Sequence, residues 1–425
     1  MIEKEIILEG ATLHINQTDK FKTKVVSIKM VSELTRKNTT LRALLSMVLL
    51  GGTAKLNSLQ ALSTYLENMY GASFSTNVST RGKAQILHLT TTFIDEQYLV
   101  EKEDLFSKQL QLMHDVLFSP NIENGAFKKE IVEMKKRELK DRLNAIKDDK
   151  YSYAQDRTFE IMGENDYLGI SGIGYIEDLD SIDGKQLYDY LQESLKNDKI
   201  EIYAVGNYTE SQISAFKHYF SFSTTPELKE VCYTFKSKRY SPIKVVEKQN
   251  ITQAKLILGY TTDVDFLSTK HSAMTVFNGL FGGFSHSRLF KIVREKHSLC
   301  YFINSQYDAF NGICLVGCGI DGECSKSAIE LINNQLEDIK NGNISDEEIE
   351  ITKKMIINSL KKSQDETGTI ICLKFNRDLV GKKENLNQYM DELDSVSKKD
   401  IQDVAKMLKL DTCFLLEGDN DNGEI

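Results

Sequence analysis

The chain has 425 residues, of which 53 are Lys or Arg and 62 are Asp or Glu, so its formal net charge at pH 7 is -9. This length exceeds what one ordinary hydrophobic core organises, and the acidic balance argues against general nucleic-acid binding, which needs a basic face. Hydrophobic residues make up 41% of the chain, and no apolar run approaches the ~18 residues of a membrane-spanning helix. We therefore expect a soluble globular protein of two domains.

The first residues, MIEKEIILEGATLHI, mix acidic with apolar side chains. A secretory signal has a basic start followed by an uninterrupted apolar segment, so this beginning predicts a cytoplasmic protein. The seven cysteines, an odd number in a long chain, suit reduced thiols better than a disulfide framework. Richness in Lys, Asn and Ile indicates an AT-rich bacterial genome.

Residues 42–56, RALLSMVLLGGTAKL, form a strongly apolar segment. The pattern predicts a buried helix that ends at Gly51 and Gly52. Its side chains offer neither a metal ligand nor a proton-transfer group.

The two halves of the chain, residues about 1–210 and about 245–425, repeat one pattern. Each half ends in a buried strand that stops at Gly and a polar residue, IEIYAVGN in the first and TCFLLEGD in the second. A hairpin, an amphipathic helix and a longer second helix precede that strand in both halves. In the second half the longer helix starts with the capping-box spacing of Ser345 and Glu348.

A closer match joins residues 62–77 to residues 289–304, each a helix that turns into a strand. In this alignment Glu67 matches Arg294, and Phe74 matches Tyr301. Repeats of about 200 residues are too long for a solenoid, so the pattern predicts a duplicated domain.

The duplication predicts three parts: an N-terminal domain over 1–220, a polar linker over 221–246 and a C-terminal domain over 247–425. In each half, period-2 strands and helices do not alternate strictly. This predicts an α+β fold of two homologous domains, each a mainly antiparallel sheet with helices packed on one side.

Common catalytic arrangements have little support in the sequence. No two of the seven histidines lie three or four residues apart, so no helix offers paired imidazoles to zinc. Cys314 and Cys318 fall in a strand pattern, where four residues span roughly 13 Å, so core packing is the better interpretation. The sequence also lacks a GxSxG elbow and a Walker loop.

Residues 278–310, NGLFGGFSHSRLFKIVREKHSLCYFINSQYDAF, hold the strongest candidate site. Gly282 and Gly283 predict a flexible loop that can approach another backbone closely, and Arg294 and Tyr301 lie across a helix-to-strand turn. A guanidinium can hold a peptide carbonyl or carboxylate while a phenol donates a hydrogen bond to the same backbone. On spacing alone, an ordinary surface arginine and an amphipathic core tyrosine remain the alternative.

This segment resembles the second-domain signature of the pitrilysin, insulinase and mitochondrial-processing-peptidase family, the inverzincins, whose pattern is close to GGGxSSRLFxxLREKxGLxY. The strand QAKLILGY, residues 253–260, is similar to the one that opens this domain, and the resemblance covers nearly the whole chain. It implies that Arg294 and Tyr301 hold the substrate backbone, and that Tyr301 stabilises the oxyanion formed when zinc-bound water attacks. The matching positions are Gly282, Gly283, Ser287, Arg288, Leu289, Phe290, Arg294, Glu295, Lys296, Leu299 and Tyr301.

In its first domain the family carries H-x-x-E-H on a helix, where two histidines bind zinc and the glutamate is the general base. Aligning the family's Gly-Thr on Gly52 and Thr53 places this motif on Ala43, Leu44, Leu45, Ser46 and Met47. The resemblance thus implies a degenerate motif, marked by Ala43, Ser46 and Met47, with no catalytic residue, metal or cofactor in this chain.

The family's third zinc ligand, a glutamate, falls near Arg137 and Glu138. One carboxylate could not hold a catalytic zinc without the two imidazoles. The segment YGASFSTNV, residues 70–78, resembles the family's edge strand beside the substrate. The resemblance therefore implies a retained fold and a lost metal site.

Bacterial family chains of this length often work as pairs, in which one subunit bears the zinc motif and the other bears the Arg/Tyr pair. The resemblance implies that this chain is the non-catalytic, substrate-binding subunit of a heterodimeric zinc endopeptidase that processes peptides. It would be inactive alone, with zinc in the partner and with Arg294 and Tyr301 acting in trans. Two alternatives stay open: a structural scaffold, and a module that captures peptides for an unrelated modifying enzyme.

Overall fold

The computed structural model describes residues 2–223 and 230–419. Contacts divide the chain into two compact units: residues 1–144 with 171–229 form unit 1, and residues 145–170 with 230–425 form unit 2. The units differ from the expected 1–220 and 247–425, because residues 145–170 contain a helix that packs on the sheet of unit 2.

Unit 1 contains eight strands in its described residues. They are Ile2–Leu8 (β1), Ala11–Gln17 (β2), Thr23–Glu33 (β3), Ser73–Arg81 (β4), Ala84–Ile94 (β5), Ile122–Glu123 (β6), Ala126–Phe127 (β7) and Lys199–Gly206 (β8). Six of them form a sheet in the order β1-β2-β8-β3-β5-β4, and β6 pairs with β7. In the large sheet β2 and β8 are parallel, and the other neighbours are antiparallel.

Unit 2 contains five strands in its described residues. They are Ile243–Gln249 (β9), Ala254–Thr261 (β10), Cys300–Asp308 (β11), Ile313–Ile320 (β12) and Lys409–Gly418 (β13). The sheet order is β11-β12-β10-β13-β9. Here β9 and β13 are parallel, and the other neighbours are antiparallel.

The two sheets share one topology. Read from the other end, β9-β13-β10-β12-β11 repeats the order and directions of β2-β8-β3-β5-β4, and unit 1 adds β1 at its edge. The predicted α+β fold of two homologous domains with mainly antiparallel sheets is thus confirmed.

Thirteen α-helices lie in the described residues, and none of them is long and apolar enough to cross a membrane. The helix α10 begins after Ser345 with the capping box that the sequence predicts, since Ser345 and Glu348 each bind the other's backbone N–H. The helices are Thr39–Val48 (α1), Leu59–Glu67 (α2), Leu105–Phe118 (α3), Lys129–Asp148 (α4), Lys150–Met162 (α5), Gly184–Asn197 (α6), Glu210–Tyr219 (α7), His271–Asn278 (α8), Ser325–Lys340 (α9), Asp346–Ser363 (α10), Thr367–Leu379 (α11), Leu386–Ser395 (α12) and Lys398–Ala405 (α13).

In each unit, one face of the sheet packs against several helices. In unit 1, alternate residues of β3 such as Ile28 join one apolar cluster with residues of α1, α3 and α6. In unit 2, Leu256 and Leu258 face a cluster with α8, α9 and α13. The residue between them, Ile257, points to the opposite face, where it packs with Ala154 of α5. Period-2 alternation therefore gives the sheet of unit 2 two apolar faces.

The linker expected over 221–246 is only partly without regular structure. Residues 224–229 lie outside the described residues, and residues 230–242 contain no helix or strand. Residues 243–246 already belong to β9, because Ile243 pairs with Thr412 in a parallel register. Phe235 is buried and donates its backbone N–H to the carbonyl of Asn311 at 2.8 Å, so this connection packs on unit 2.

Candidate functional site

The five positions of the family's zinc motif lie on α1 and are mostly core. Ala43, Leu44, Leu45 and Ser46 are at most 3% exposed, and Met47 is half-buried. The hydroxyl of Ser46 donates to the carbonyl of Ala43 at 2.7 Å. None of these side chains is an imidazole, thiolate or carboxylate, the donors that zinc takes in proteins. The residues present do not fit a zinc ion.

The one fully buried charge on α1, Arg42, has a structural role. Its guanidinium pairs with Asp198 and donates to the carbonyl of Met30 at 3.0 Å. Burial opposes its charge, but the carboxylate of Asp198 keeps the pKa of Arg42 raised. Because this charge is matched inside the core, Arg42 anchors α1 and is not available to a substrate.

The expected third-ligand position, near Arg137 and Glu138, lies on the exposed side of α4. Glu138 pairs with Lys135 at 2.8 Å, and Lys135 is the charged residue on the buried face of this helix. The buried face of α4 therefore carries an ammonium group, whereas Glu138 lies on the exposed side. Within residues 2–223 and 230–419, no group of three or more His, Cys, Asp or Glu side chains could hold a metal ion.

A Ser-His-Lys trio on three strands of unit 1 has the spacing of a proton relay. His88 lies 2.7 Å from the hydroxyl of Ser79 through Nε2 and 2.8 Å from Nζ of Lys29 through Nδ1. Burial, with the charge of Lys29, lowers the pKa of His88 to about 2. Because lysine Nζ donates to Nδ1, Nε2 carries the hydrogen and cannot accept a proton from Ser79. The trio is a half-buried polar network.

The cysteine pair of β12 is core, as the sequence predicts. Cys314 and Cys318 are 0% exposed, and burial raises the pKa of Cys314 to about 12 and that of Cys318 above its usual range. Protonated thiols on a buried sheet face are poor nucleophiles and poor metal ligands.

Several residues of the matched signature hold its segment in place. Ser287 and Leu289 are buried. Arg288 forms a two-pronged pair with Glu348, with both N–O distances at 3.1 Å, and also donates to the carbonyl of Asn343. Since Glu348 also closes the capping box of α10, Arg288 fixes the signature to the start of that helix.

Gly282 and Gly283 lie in a π-helical turn, Gly279–Gly283, and not in the flexible loop that the sequence predicts. Gly282 is buried, and a Cβ on it would lie 2.7 Å from the backbone nitrogen of Ser305 in β11. The backbone that Gly282 approaches closely is thus that of its own sheet. Gly283 is exposed, so it remains the glycine of the pair that a ligand could reach.

Arg294 is exposed on a second π-helical segment, Phe290–Lys296. Its guanidinium carbon lies 4.4 Å from the centre of the Phe290 ring, within the range of a cation–π contact. Two residues after this segment, Ser298 has a left-handed φ of 52°. The chain then turns into β11.

Tyr301 is 64% exposed and lies near the start of β11, the strand at the end of the sheet of unit 2. The register between β11 and β12 shifts between Cys300 and Phe302, so Tyr301 is the extra residue of a β-bulge. A bulge redirects a side chain out of the strand's alternation. The structure thus places Arg294 and Tyr301 on the two sides of one turn, both open to solvent.

The same turn occurs in unit 1, as the aligned segments predict. Gly71, which aligns with Ser298, also has a left-handed φ, of 72°. Phe74, which aligns with Tyr301, lies in β4 at the end of its sheet. Sequence patterns did not single out Ser298 or Lys135, and they gave Phe290 as a matched position without its contact to Arg294. Phe290 lies four residues before Arg294, and this helical spacing was the signal in the sequence for the contact between the guanidinium and the ring.

Comparison with known proteins places these features in a family. Residues 181–356 match the family model described as Peptidase M16 inactive domain. Over 410 residues, 96% of both chains, this chain is 33% identical to a "Probable inactive metalloprotease", YmfF, of Bacillus subtilis (strain 168). It is 24% identical over 305 residues to an "Uncharacterized zinc protease", YmxG, of the same organism, with 70% of this chain and 72% of that protein covered.

A solved structure shows the same fold. The chain superposes on the peptidase M16 inactive domain protein from Pseudomonas fluorescens with a TM-score of 0.82 and 14% identity, covering 100% of both chains. The family resemblance inferred from residues 278–310 is confirmed by the whole-length match to the inactive metalloprotease. The chain belongs to the peptidase M16 family, as an inactive metalloprotease-like homologue.

Proposed function

We propose that this chain is the zinc-less, substrate-binding subunit of a heterodimeric zinc metalloendopeptidase that processes peptides. In this proposal Arg294 and Tyr301 act in trans at the zinc site of a homologous partner that carries H-x-x-E-H. The observation that carries the proposal is a contrast. The motif positions on α1 are filled with core side chains, whereas Arg294 and Tyr301 are kept exposed beside one turn.

The two side chains suit the task chemically. A guanidinium is permanently charged and presents a planar set of donors, so Arg294 can bind a peptide carbonyl or carboxylate. A phenol donor such as that of Tyr301 can stabilise the oxyanion that develops during attack on the scissile carbonyl. Exposed Gly283 could admit the peptide backbone closely.

The sheet edges offer a second means of holding a peptide. Strands β4 and β11 each lie at the end of their sheet, so an extended peptide could add to either one through backbone hydrogen bonds. In β11 the bulge at Tyr301 would place the phenol beside such a peptide.

The proposed partner has a precedent among the relatives. One organism, Bacillus subtilis (strain 168), has both an inactive homologue and a homologue named as a zinc protease. We infer a cytoplasmic location for the pair, since seven free cysteines suit a reducing compartment.

The test is reconstitution with the H-x-x-E-H-bearing homologue from the same genome. The chain alone should bind no stoichiometric zinc and cleave no peptide, and the mixture should cleave a fluorogenic peptide. In the mixture, Tyr301→Phe should lower kcat about 100-fold with a smaller change in KM, because it removes one oxyanion donor. Arg294→Ala should weaken peptide binding and raise KM.

Matched controls are Tyr98→Phe and Arg137→Ala, which alter an exposed tyrosine and an exposed arginine of unit 1. Both should leave kcat and KM unchanged. The reconstituted mixture can be made with the Tyr301→Phe, Arg294→Ala double variant in place of wild type. Cleavage at the wild-type rate in that mixture would refute the trans role and favour the scaffold alternative. Peptide binding without any proteolysis would favour the peptide-capturing module.

A further inference from the structure

Opposite β4 and β11, each sheet ends in a second strand that has one neighbour in the described residues. In unit 1 this strand is β1, which pairs with β2, and in unit 2 it is β9, which pairs with β13. We call their unpaired sides the β1 edge and the β9 edge. Such an edge presents unpaired backbone N–H and carbonyl groups, so it can bind another strand. Neither Arg294 nor Tyr301 lies on β1 or β9, so these edges can be tested apart from the proposed function.

Alternate residues of one strand form the β9 edge. The backbone N–H of Asp419 donates to the carbonyl of Gln249 at 3.1 Å, so Gln249 directs its backbone groups towards β13. Because alternate residues of a strand direct their backbone groups to the same side, Lys244, Val246 and Lys248 direct theirs to the open side. Their side chains are exposed, and 43% of the Val246 surface is accessible. The β9 edge therefore presents two ammonium groups on either side of an apolar side chain.

The β1 edge is formed in the same way. The backbone N–H of Thr18 donates to the carbonyl of Gly206 in β8 at 3.0 Å, so even-numbered residues of β2 face β8 and odd-numbered ones face β1. These odd-numbered residues pair with the even-numbered residues of β1. The remaining residues of β1, Glu3, Glu5 and Ile7, therefore direct their backbone groups to the open side. All three are exposed, and 71% of the Ile7 surface is accessible.

The two edges are complementary in charge and in apolar surface. Alternate positions along β1 and the turn that follows it read Glu-Ile-Glu, and alternate positions along β9 read Lys-Val-Lys. Directly opposed side chains of antiparallel strands have Cβ atoms about 4.5–5.5 Å apart, close enough for ion pairs and apolar contact. One antiparallel register then forms three matched pairs, Glu5 with Lys248, Ile7 with Val246 and Glu9 with Lys244.

Each edge is poorly suited to a copy of itself. Two β9 strands centred on Val246 would oppose Lys244 to Lys248, and two β1 strands centred on Ile7 would oppose glutamate to glutamate. Like charges directly opposite each other are unfavourable, and edge lysines are a common device against unwanted strand pairing. The charges therefore disfavour pairing of like edges and favour pairing of the β1 edge with the β9 edge.

We propose that a second copy of this chain binds at these edges, with the β1 edge of one copy paired antiparallel to the β9 edge of the other. Backbone hydrogen bonds provide the affinity, and the opposed charges fix the register. The contact joins two different surfaces, so it closes a dimer when it occurs twice about a twofold axis. Strand pairs are small interfaces, so the dimer should exchange with monomer at micromolar concentrations.

Sedimentation velocity of the purified full chain, over about 1–100 µM, tests this proposal. Wild type should form a dimer as its concentration rises, and salt should weaken the dimer because exposed charges are screened. Glu5→Lys with Glu9→Lys reverses the β1 edge, and Lys244→Glu with Lys248→Glu reverses the β9 edge. Each double variant alone should weaken the Kd about tenfold or more, because like charges are then opposed. An equimolar mixture of the two should associate like wild type, because each variant meets the opposite charge on the other.

Lys217→Glu with Lys326→Glu is the matched control, because it makes the same charge change at two exposed lysines outside both edges. It should associate like wild type. The quadruple variant that carries both reversals in one chain should also associate, which separates a lost contact from a lost fold. The proposal is overturned if wild type stays monomeric at about 100 µM, if either reversal leaves the Kd unchanged, or if neither the mixture nor the quadruple variant regains association.

Discussion

At the residue scale, Arg294 and Tyr301 are exposed for different local reasons. Arg294 projects from a π-helical segment, and its guanidinium rests over the ring of Phe290. Such a contact restricts a flexible arginine, so less conformational entropy is lost when it binds a ligand. Tyr301 is exposed because a β-bulge turns it out of the strand. The contact with Phe290 thus partly orders the Arg294 side chain, and the bulge accounts for the exposure of Tyr301.

Ser298 carries the backbone strain of this turn. Its φ is 52°, where a side chain is unfavourable and glycine is not, and the family pattern has glycine at this position. Ser298→Gly should therefore stabilise the protein by about 0.5–1 kcal/mol, measured by urea denaturation. The control Ser285→Gly, at an exposed turn residue without a positive φ, should be neutral or slightly destabilising. Equal effects of the two changes would contradict the strain assigned to Ser298.

The resemblance of residues 278–310 to the family signature singled out Arg294 and Tyr301 in the sequence, but their surroundings were not predictable. A bulge depends on how β11 pairs with β12, and a left-handed φ at a serine depends on the direction that the following strand must take. Both are tertiary properties. The burial of Lys135 was not predictable for the same reason, because it depends on how α4 packs.

At the element scale, α1 has become a core helix. It is anchored by the buried Arg42–Asp198 pair, and the hydroxyl of Thr76 in β4 donates to the carbonyl of Ser46. Ser46, the one buried polar side chain at the motif positions, is satisfied, because its hydroxyl donates to the carbonyl of Ala43. Apolar replacement is the stable outcome, since a buried polar group without a partner costs about 1–3 kcal/mol.

Restoring the motif on this helix should not restore the metal site. The triple variant Ala43→His, Ser46→Glu and Met47→His should bind less than stoichiometric zinc by elemental analysis after gel filtration, because Glu138, the carboxylate at the expected third-ligand position, lies on the exposed side of α4. It should also be destabilised by about 1–3 kcal/mol for each buried polar group left unpaired. Met47→His alone, at a half-buried position, should cost less. One retained zinc per chain would contradict this account.

At the scale of the whole molecule, buried His271 and half-buried His88 should make stability depend on pH. Burial lowers the pKa of His271 to about 3 and that of His88 to about 2. Both are neutral in the folded state, whereas in the unfolded state they bind protons below pH about 6.5. Acidification therefore favours unfolding, by about 1.4 kcal/mol for each histidine between pH 7.5 and 5.5.

The variant His271→Gln isolates this effect. It should remove about 1.4 kcal/mol of the difference in unfolding free energy between pH 7.5 and 5.5, measured by urea denaturation at both values. His218→Gln, on the exposed side of α7, is the control and should leave that difference as in wild type. An unchanged difference in His271→Gln would show that this histidine is not held neutral by burial.

The sequence by itself determined the duplicated α+β architecture and the apolar character of α1. Both follow from periodicity and repeats, which are local properties of the chain. The resemblance to the family signature singled out Arg294 and Tyr301 as candidates, and the structure showed that both are exposed. Only the tertiary structure decided that residues 145–170 group with unit 2, that Gly282 packs against Ser305 and that β1 and β9 lie at the ends of their sheets. These features depend on which distant segments meet, and single-sequence patterns do not encode such contacts.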